Sequence, residues 1–162
     1  MQSYNKSEKV GEDMENNIIL KGRGLNSGVT EGEALVSKEP LVWVHGITPA
    51  TGKIVDVRVK VCGENVKDKI LVYPLGKGST CGSTWMLETT RYGNAPKAII
   101  NRETEMIILA GVVLSEEMYG TQIPVVDRLD QYPDDIIETG DWVRVNGDKG
   151  IVEVIKKRSG RD

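Results

Sequence analysis

The chain has 162 residues and a formal net charge of −3, with 39% hydrophobic and 28% charged side chains. That length suits one domain with its own hydrophobic core. The near-neutral charge excludes a protein that binds nucleic acid through bulk electrostatics. No apolar run approaches the roughly 18 residues that a transmembrane helix needs, so we expect no membrane partner. Residues 1–17 have no apolar centre and are not a secretory signal. We expect a disordered leader at 1–17, a domain at 18–155, a flexible tail at 156–162, and a cytoplasmic protein.

The metal-ligating residues are few. The chain has two cysteines, Cys62 and Cys81, and one histidine, His45, which fall short of a self-contained zinc or iron–sulfur site. The cysteines do not form a CxxC pair, and a structural disulfide is not expected in the cytoplasm. We therefore predict that this chain holds no metal or cofactor by itself.

The predicted elements alternate between strands and helices in the middle of the chain and are β-rich at both ends. Hydrophobic periodicity and the positions of Gly and Pro define them. In chain order we predict strands at 18–21, 32–37 and 41–44, a turn-rich loop at 45–52, an alternating strand or arm at 53–61, a strand at 69–73, a helix at 83–91, a strand at 98–101, a helix at 105–118, a strand at 123–126, a helical turn at 134–138, and a hairpin of 142–146 with 150–155. The central β-α-β-α-β order predicts an α/β fold of the β/β/α kind, in which a barrel-like sheet carries helices on a parallel portion.

The most informative segment joins the predicted strand at 69–73 to the helix that follows it. Its sequence is Pro74-Leu-Gly-Lys-Gly-Ser-Thr-Cys-Gly-Ser83. A dinucleotide fingerprint would place a third glycine where Cys81 stands, and a P-loop would place Ser or Thr directly after Lys77. Neither familiar glycine motif therefore explains the segment.

Two interpretations of this glycine loop stay open. Ser79 or Thr80 could be an ordinary helix N-cap. Alternatively, the unpaired N–H groups and the positive end of the helix dipole could bind a carboxylate or a phosphate. In that case Lys77, Gly78, Thr80 and Ser83 are the candidate substrate-binding residues.

Several separated motifs, in this order along the chain, resemble the aconitase-X swivel domain over roughly residues 18 to 155. They are Gly22-Arg-Gly24, Glu31-Gly-Glu-Ala-Leu-Val36, Pro49-Ala-Thr-Gly52, the glycine loop, Ala95-Pro-Lys-Ala-Ile-Ile-Asn101 and Thr139-Gly-Asp141.

The resemblance implies a swivelling β/β/α domain that is the small subunit of an aconitase-X dehydratase. It implies a heterodimer with a large subunit that carries the iron–sulfur cluster, and a small anionic substrate. The reaction it implies is dehydration of a 3-hydroxy acid, (R)-5-phosphomevalonate to trans-anhydromevalonate 5-phosphate, with cis-3-hydroxy-L-proline as the alternative. The alternative to an enzyme subunit is a module that binds a small anion and catalyses no reaction.

The resemblance also implies that Ser79 is the catalytic serine. A serine becomes a base only where its alkoxide is favoured, and the helix N-terminus and Lys77 are placed for that. Arg23 is a candidate for binding a carboxylate through its planar fork, or else a surface arginine. His45 is a candidate for substrate contact, or else holds a turn.

Overall fold

The computed structural model describes residues 17–155, which form ten strands and three helices. The elements, in chain order, are β1 (Ile18–Lys21), β2 (Arg23–Asn26), β3 (Val29–Val36), β4 (Ile47–Thr48), β5 (Lys53–Ile54), β6 (Ile70–Tyr73), α1 (Gly82–Arg91), β7 (Ala98–Asn101), α2 (Met106–Tyr119), β8 (Val125–Asp127), α3 (Pro133–Ile136), β9 (Trp142–Asn146) and β10 (Ile151–Ile155). None of the described helices is long and apolar enough to cross a membrane. The predicted leader and tail lie outside the described residues, except for Asn17, whose side chain donates to Glu153 Oε1 at 2.9 Å.

Eight of these strands form one sheet in the order β1-β10-β9-β3-β6-β7-β8-β2. The neighbours β3, β6, β7 and β8 are parallel to one another, and the other pairs are antiparallel. The consecutive strands β1 and β2 lie at the two ends of this order, so the sheet curls into a nearly closed barrel. Gly22 N–H bonds the Gly150 carbonyl at 2.8 Å where the ends meet. This arrangement confirms the predicted barrel-like α/β fold.

Each parallel strand contributes to two apolar cores because alternate side chains point to opposite faces. On β6, Ile70 and Val72 face the barrel interior, while Leu71 and Tyr73 pack beneath the helices. The helices α1 and α2 approach closely above this core, and only a residue without a side chain fits at Gly111: a Cβ there would lie 2.7 Å from the Ser83 carbonyl oxygen. This close contact fixes the start of α1 against α2.

The predicted strand or arm at 53–61 is wrong beyond its first two residues. Only Lys53–Ile54 pairs with a neighbouring strand. Beyond it, the Asp56 carboxylate accepts hydrogen bonds from the Arg58 backbone N–H at 3.0 Å and from Arg58 Nε at 2.7 Å. This local side-chain-to-backbone bonding turns the chain away from an extended path.

Two further predictions about strands also differ from the structure. The predicted strand at 41–44 is reduced to a single bridge between Leu41 and Gly76. The strand β2 (Arg23–Asn26) was not predicted, and it is held by antiparallel pairing with β8. The short strand β4 lies within the predicted loop at 45–52, where it pairs with β5. The other predicted elements are present, with ends shifted by up to three residues.

Candidate active site

The loops that carry most of the predicted site residues leave one edge of the sheet. The parallel strands β6, β7 and β8 end at Tyr73, Asn101 and Asp127, so their carboxyl ends meet at this edge. Ligands of parallel α/β sheets commonly bind just outside the carboxyl ends of the strands. The glycine loop follows β6, and the start of α2 follows β7.

The glycine loop leads into a helix that no side chain caps. Helix α1 begins at Gly82, Cys81 is in the N-cap position, and no side-chain cap hydrogen bond forms. Ser79 Oγ instead accepts from the Cys81 N–H at 3.3 Å, and the Thr84 hydroxyl donates to the Cys81 carbonyl at 2.8 Å. The helix-cap interpretation of Ser79 or Thr80 is therefore wrong for this structure.

Several backbone N–H groups of this loop and of the first turn of α1 are without hydrogen-bond partners among residues 17–155. They belong to Gly78, Ser79, Thr80, Ser83 and Thr84, and we call them the loop amide cluster. Gly78 has φ of +70°, a left-handed conformation in which glycine is favoured. Unpaired amides at the positive end of a helix dipole attract an anion.

Ser79 lines a small pocket whose cavity volume of about 10 Å³ leaves room for about one water molecule. Its polar lining comes from Lys77, Gly78, Ser79 and Glu105, and its apolar wall from Val42, Trp43, Ile107 and Ile108. Of the predicted site residues, the pocket thus brings together Lys77, Gly78 and Ser79. Thr80 and Ser83 belong to the same loop and helix turn but do not line it.

The ammonium of Lys77 points towards a carboxylate on another loop, with Nζ 4.0 Å from Asp56 Oδ2. Asp56 is itself held by Arg58, whose Nε and Nη2 donate to it at 2.7 and 3.0 Å. These hydrogen bonds lower the pKa of Asp56 to about 2. Lys77 therefore lies beside a permanent negative charge at neutral pH and keeps its ammonium near the pocket.

Arg23 does not line the pocket, and its fork is already occupied. Its Nε and Nη2 each donate to the fully buried carboxylate of Asp127 at 2.9 Å. Asp127 also accepts the Thr104 N–H at 2.9 Å. Burial alone raises the pKa of Asp127, but the bonds from Arg23 and Thr104 outweigh it and hold that pKa below its usual value. Arg23 thus joins β2 to the loop that precedes α2.

His45 lies in a turn outside the pocket lining. It has φ of 61°, and its ring meets the Trp85 ring edge-on with centroids 4.9 Å apart. Trp85 Nε1 in turn donates to the Ile47 carbonyl at 2.6 Å. These contacts support the turn-holding interpretation of His45, because its ring packs against α1.

Sequence reasoning missed Glu105, the carboxylate in the pocket. Glu105 is half-buried at the N-cap position of α2, and its Oε2 would lie 1.5 Å from a Cβ on Gly76. No motif marks it. The available signal was its position just after β7, because β6 and β7 are parallel and the segments that follow them meet at one edge.

The described residues do not fit an iron–sulfur cluster. Within 17–155, no three His, Cys, Asp or Glu side chains are grouped so that they could hold a metal ion. Cys62 and Cys81 are both exposed and lie in separate loops.

The fold is a swivelling β/β/α domain. A barrel-like sheet carries helices on its parallel half, and the glycine loop with Ser79 leads into a helix N-terminus. The sequence pattern of the aconitase X swivel domain matches residues 19–154, and the chain belongs to that family.

Relatives and solved structures agree with this assignment. The chain is 42% identical to the phosphomevalonate dehydratase small subunit of Methanosarcina acetivorans, over 89% of this chain and 96% of the relative. It is 45% identical to the protein of the same name from Archaeoglobus fulgidus, over 83% of this chain and 96% of that one. The crystal structure of holo-form aconitase X from Thermococcus kodakaraensis superimposes with a TM-score of 0.78 at 40% identity, covering 86% of this chain and 99% of that one.

Proposed function

We propose that this chain is the small subunit of a dehydratase that converts (R)-5-phosphomevalonate to trans-anhydromevalonate 5-phosphate. The names of the two archaeal relatives support this substrate, because the similarity spans nearly their whole length. The observation that carries the proposal is the loop amide cluster around Ser79, next to a pocket that Lys77 also lines.

The substrate of such an enzyme carries negative charge on a carboxylate and a phosphate. The loop amide cluster and the Lys77 ammonium supply donors and positive potential for one of these groups. Binding of the anion there would hold the neighbouring carbon close to Ser79. Positioning of this kind accounts for a large part of catalysis in general.

Ser79 is proposed to remove the proton from the carbon next to the carboxylate. The electron pair of that C–H bond then forms the C=C bond as the hydroxyl leaves the adjacent carbon. A serine hydroxyl is a weak base at its ordinary pKa, so its alkoxide needs stabilisation. The N-terminus of α1 and the Lys77 charge provide a field of the required sign.

We propose that the site is incomplete in this chain and that a larger subunit completes it. The relatives are named small subunits, which implies a larger partner. We assign the iron–sulfur cluster of the complex to that partner, because the described donors of this chain do not fit one. We further propose that the complex works in the cytoplasm.

The test is to co-purify the chain with the large subunit from the same genome and to assay water loss from two substrates. We expect the complex to dehydrate (R)-5-phosphomevalonate and the isolated chain to be inert. Turnover of cis-3-hydroxy-L-proline instead would replace the substrate but keep the reaction class. Anion binding without turnover of any 3-hydroxy acid would favour a binding module and contradict the dehydratase proposal.

A further inference from the structure

The carboxylate of Glu105 lies inside the turn of the glycine loop, at the end of the pocket that Ser79 lines. A Cβ on Gly76 would lie 1.5 Å from Glu105 Oε2, and one on Gly78 would lie 3.6 Å from Oε1. The carboxylate therefore occupies the space left by the missing side chain at Gly76, and it also approaches Gly78, the residue before Ser79. Only a glycine at position 76 leaves that space free.

Nothing in the described part of the chain uses this carboxylate. Glu105 forms no side-chain cap on its own helix, and its carboxylate has no hydrogen bond or ion pair with residues 17–155, whereas its backbone carbonyl accepts from the Ile108 and Leu109 N–H groups at 3.1 Å. The cation in the pocket, Lys77, points instead to Asp56 at 4.0 Å. Other acidic side chains at this edge, such as Asp127 and Asp134, are paired with arginines. The Glu105 carboxylate is thus free to accept a hydrogen bond or a proton, and it faces the glycine loop.

The proposed chemistry needs an acceptor of this kind. A serine that takes a proton from carbon must pass its own proton on, and an adjacent general base is the usual means. We propose, on the basis of the dehydratase function above, that Glu105 is the proton-accepting partner of Ser79. It acts through Ser79, directly or through one water, and need not touch the substrate.

The protons balance as follows. The proton of the substrate C–H bond moves to Ser79 Oγ while the Ser79 hydroxyl proton moves to a Glu105 oxygen. The C–H electron pair becomes the C=C bond, and the C–O electron pair leaves with the oxygen as hydroxide. The Glu105 proton then returns through Ser79 or the bridging water to that hydroxide, which forms the released water and restores the carboxylate. No redox partner is needed.

Few other charged or titratable groups face Glu105. Lys77 and the Ser79 hydroxyl share its pocket, and Asp56 lies behind Lys77. The buried Tyr73 hydroxyl below it stays neutral, because burial raises the pKa of that phenol to about 12. Within the described residues, Glu105 is therefore the carboxylate of the pocket that is placed to exchange a proton with Ser79.

The test uses the reconstituted two-subunit complex and a double-mutant cycle. Glu105→Gln is expected to lower kcat by about 10²-fold, the lower end for a lost acid–base group. The matched control, Glu117→Gln, changes an exposed carboxylate on the same helix and should leave kcat unchanged. The Ser79→Ala/Glu105→Gln double variant should be no slower than Ser79→Ala alone, because groups that act as a unit are not additive.

The pH dependence of kcat/KM shows whether Glu105 accepts a proton or only supports the structure of the loop. The wild-type kcat/KM should fall at acid pH, because a protonated carboxyl cannot accept the Ser79 proton, and Glu105→Gln should lose that limb. Glu105→Asp keeps an ionisable carboxylate and should recover part of kcat and the limb with it. If Glu105→Gln does not fold, Gly76→Ala is the second variant: its Cβ displaces the carboxylate and should lower kcat in the same way.

Additive losses of kcat in the double variant, or an unchanged acid limb in Glu105→Gln, would overturn the role of Glu105. An active wild-type complex with a fully active Glu105→Gln variant would overturn this role alone. A wild-type complex that dehydrates no 3-hydroxy acid would overturn the proposed function itself.

Discussion

The guanidinium of Arg23 holds the buried carboxylate of Asp127 through two hydrogen bonds of 2.9 Å. Arg23 is on β2 and Asp127 is at the end of β8, so the pair ties the two strands together where the sheet begins to close. Because Asp127 also accepts the Thr104 N–H, the same carboxylate fixes the segment that leads to Glu105. Arg23 is thus placed to support the site rather than to bind a ligand.

Arg23→Gln is therefore expected to lower the melting temperature at pH 7, because it leaves Asp127 buried without its cation. The pKa of Asp127 is depressed in the folded state, so the stability that the pair gives is present above the ordinary carboxylate pKa and is lost in acid. The difference in melting temperature between wild type and Arg23→Gln should accordingly shrink below about pH 4.

Arg91→Gln is the matched control for Arg23, since Arg91 pairs with Glu88 on the exposed face of α1 and such pairs contribute little. Thermal unfolding of all three proteins across pH measures the effect. Equal melting temperatures for the two variants, together with a raised KM in Arg23→Gln, would assign Arg23 to substrate binding instead.

A second prediction concerns the buried phenol of Tyr73, which accepts a hydrogen bond from Trp43 Nε1 at 3.0 Å. Tyr73→Phe leaves that indole N–H unsatisfied and should cost about 1–3 kcal/mol of unfolding free energy at pH 7. Burial raises the Tyr73 pKa to about 12 from an ordinary value of 10. Wild type therefore loses stability between pH 10 and 12, where only the unfolded tyrosine ionises.

The difference in stability between wild type and Tyr73→Phe should consequently narrow over that alkaline range. Urea unfolding at several pH values measures this difference. The control is Tyr92→Phe, which changes an exposed tyrosine. A gap that stays constant up to pH 12 would show that Tyr73 ionises as readily in the folded protein as in the unfolded chain.

The third prediction concerns Lys77. If its ammonium and the loop amide cluster bind an anion of the substrate together, Lys77→Gln should weaken that binding by about 1.5–3 kcal/mol, the range for a charge-assisted hydrogen bond. The loss should appear in KM. If Lys77 only favours the Ser79 alkoxide, kcat falls and KM barely moves. Steady-state kinetics of the complex separates the two, with the exposed Lys67→Gln as control.

The sequence predicted the fold well where hydrophobic periodicity agrees with the positions of Gly and Pro. The apolar run of β6, the glycine loop and the helix after it form as expected. The alternation at 53–61 was misleading because Asp56 bonds the Arg58 backbone and bends the chain, a local competition that hydrophobic periodicity does not report. The strand β2 was missed because Arg-Gly-Leu-Asn shows no alternation and is extended only through its pairing with β8.

The site was predictable in part. Ser79, Lys77 and Gly78 are contiguous, so one motif marks them, and the structure places them around one pocket. Glu105 comes from a different loop, and its approach to Gly76 depends on the parallel pairing of β6 with β7. Tertiary contacts of this kind leave no local pattern. The same holds for Arg23, whose fork is occupied by a carboxylate 104 residues away.

The central claim is that Ser79 performs the proton removal of a dehydratase formed by this chain and its large subunit. The most direct test is kcat for (R)-5-phosphomevalonate in complexes made with wild-type chain and with Ser79→Ala, after gel filtration shows that both associate. We predict that kcat falls by about 10² to 10⁴ in the variant, while folding and association are unchanged. A Ser79→Ala complex with wild-type kcat would contradict the account and place the base on another residue.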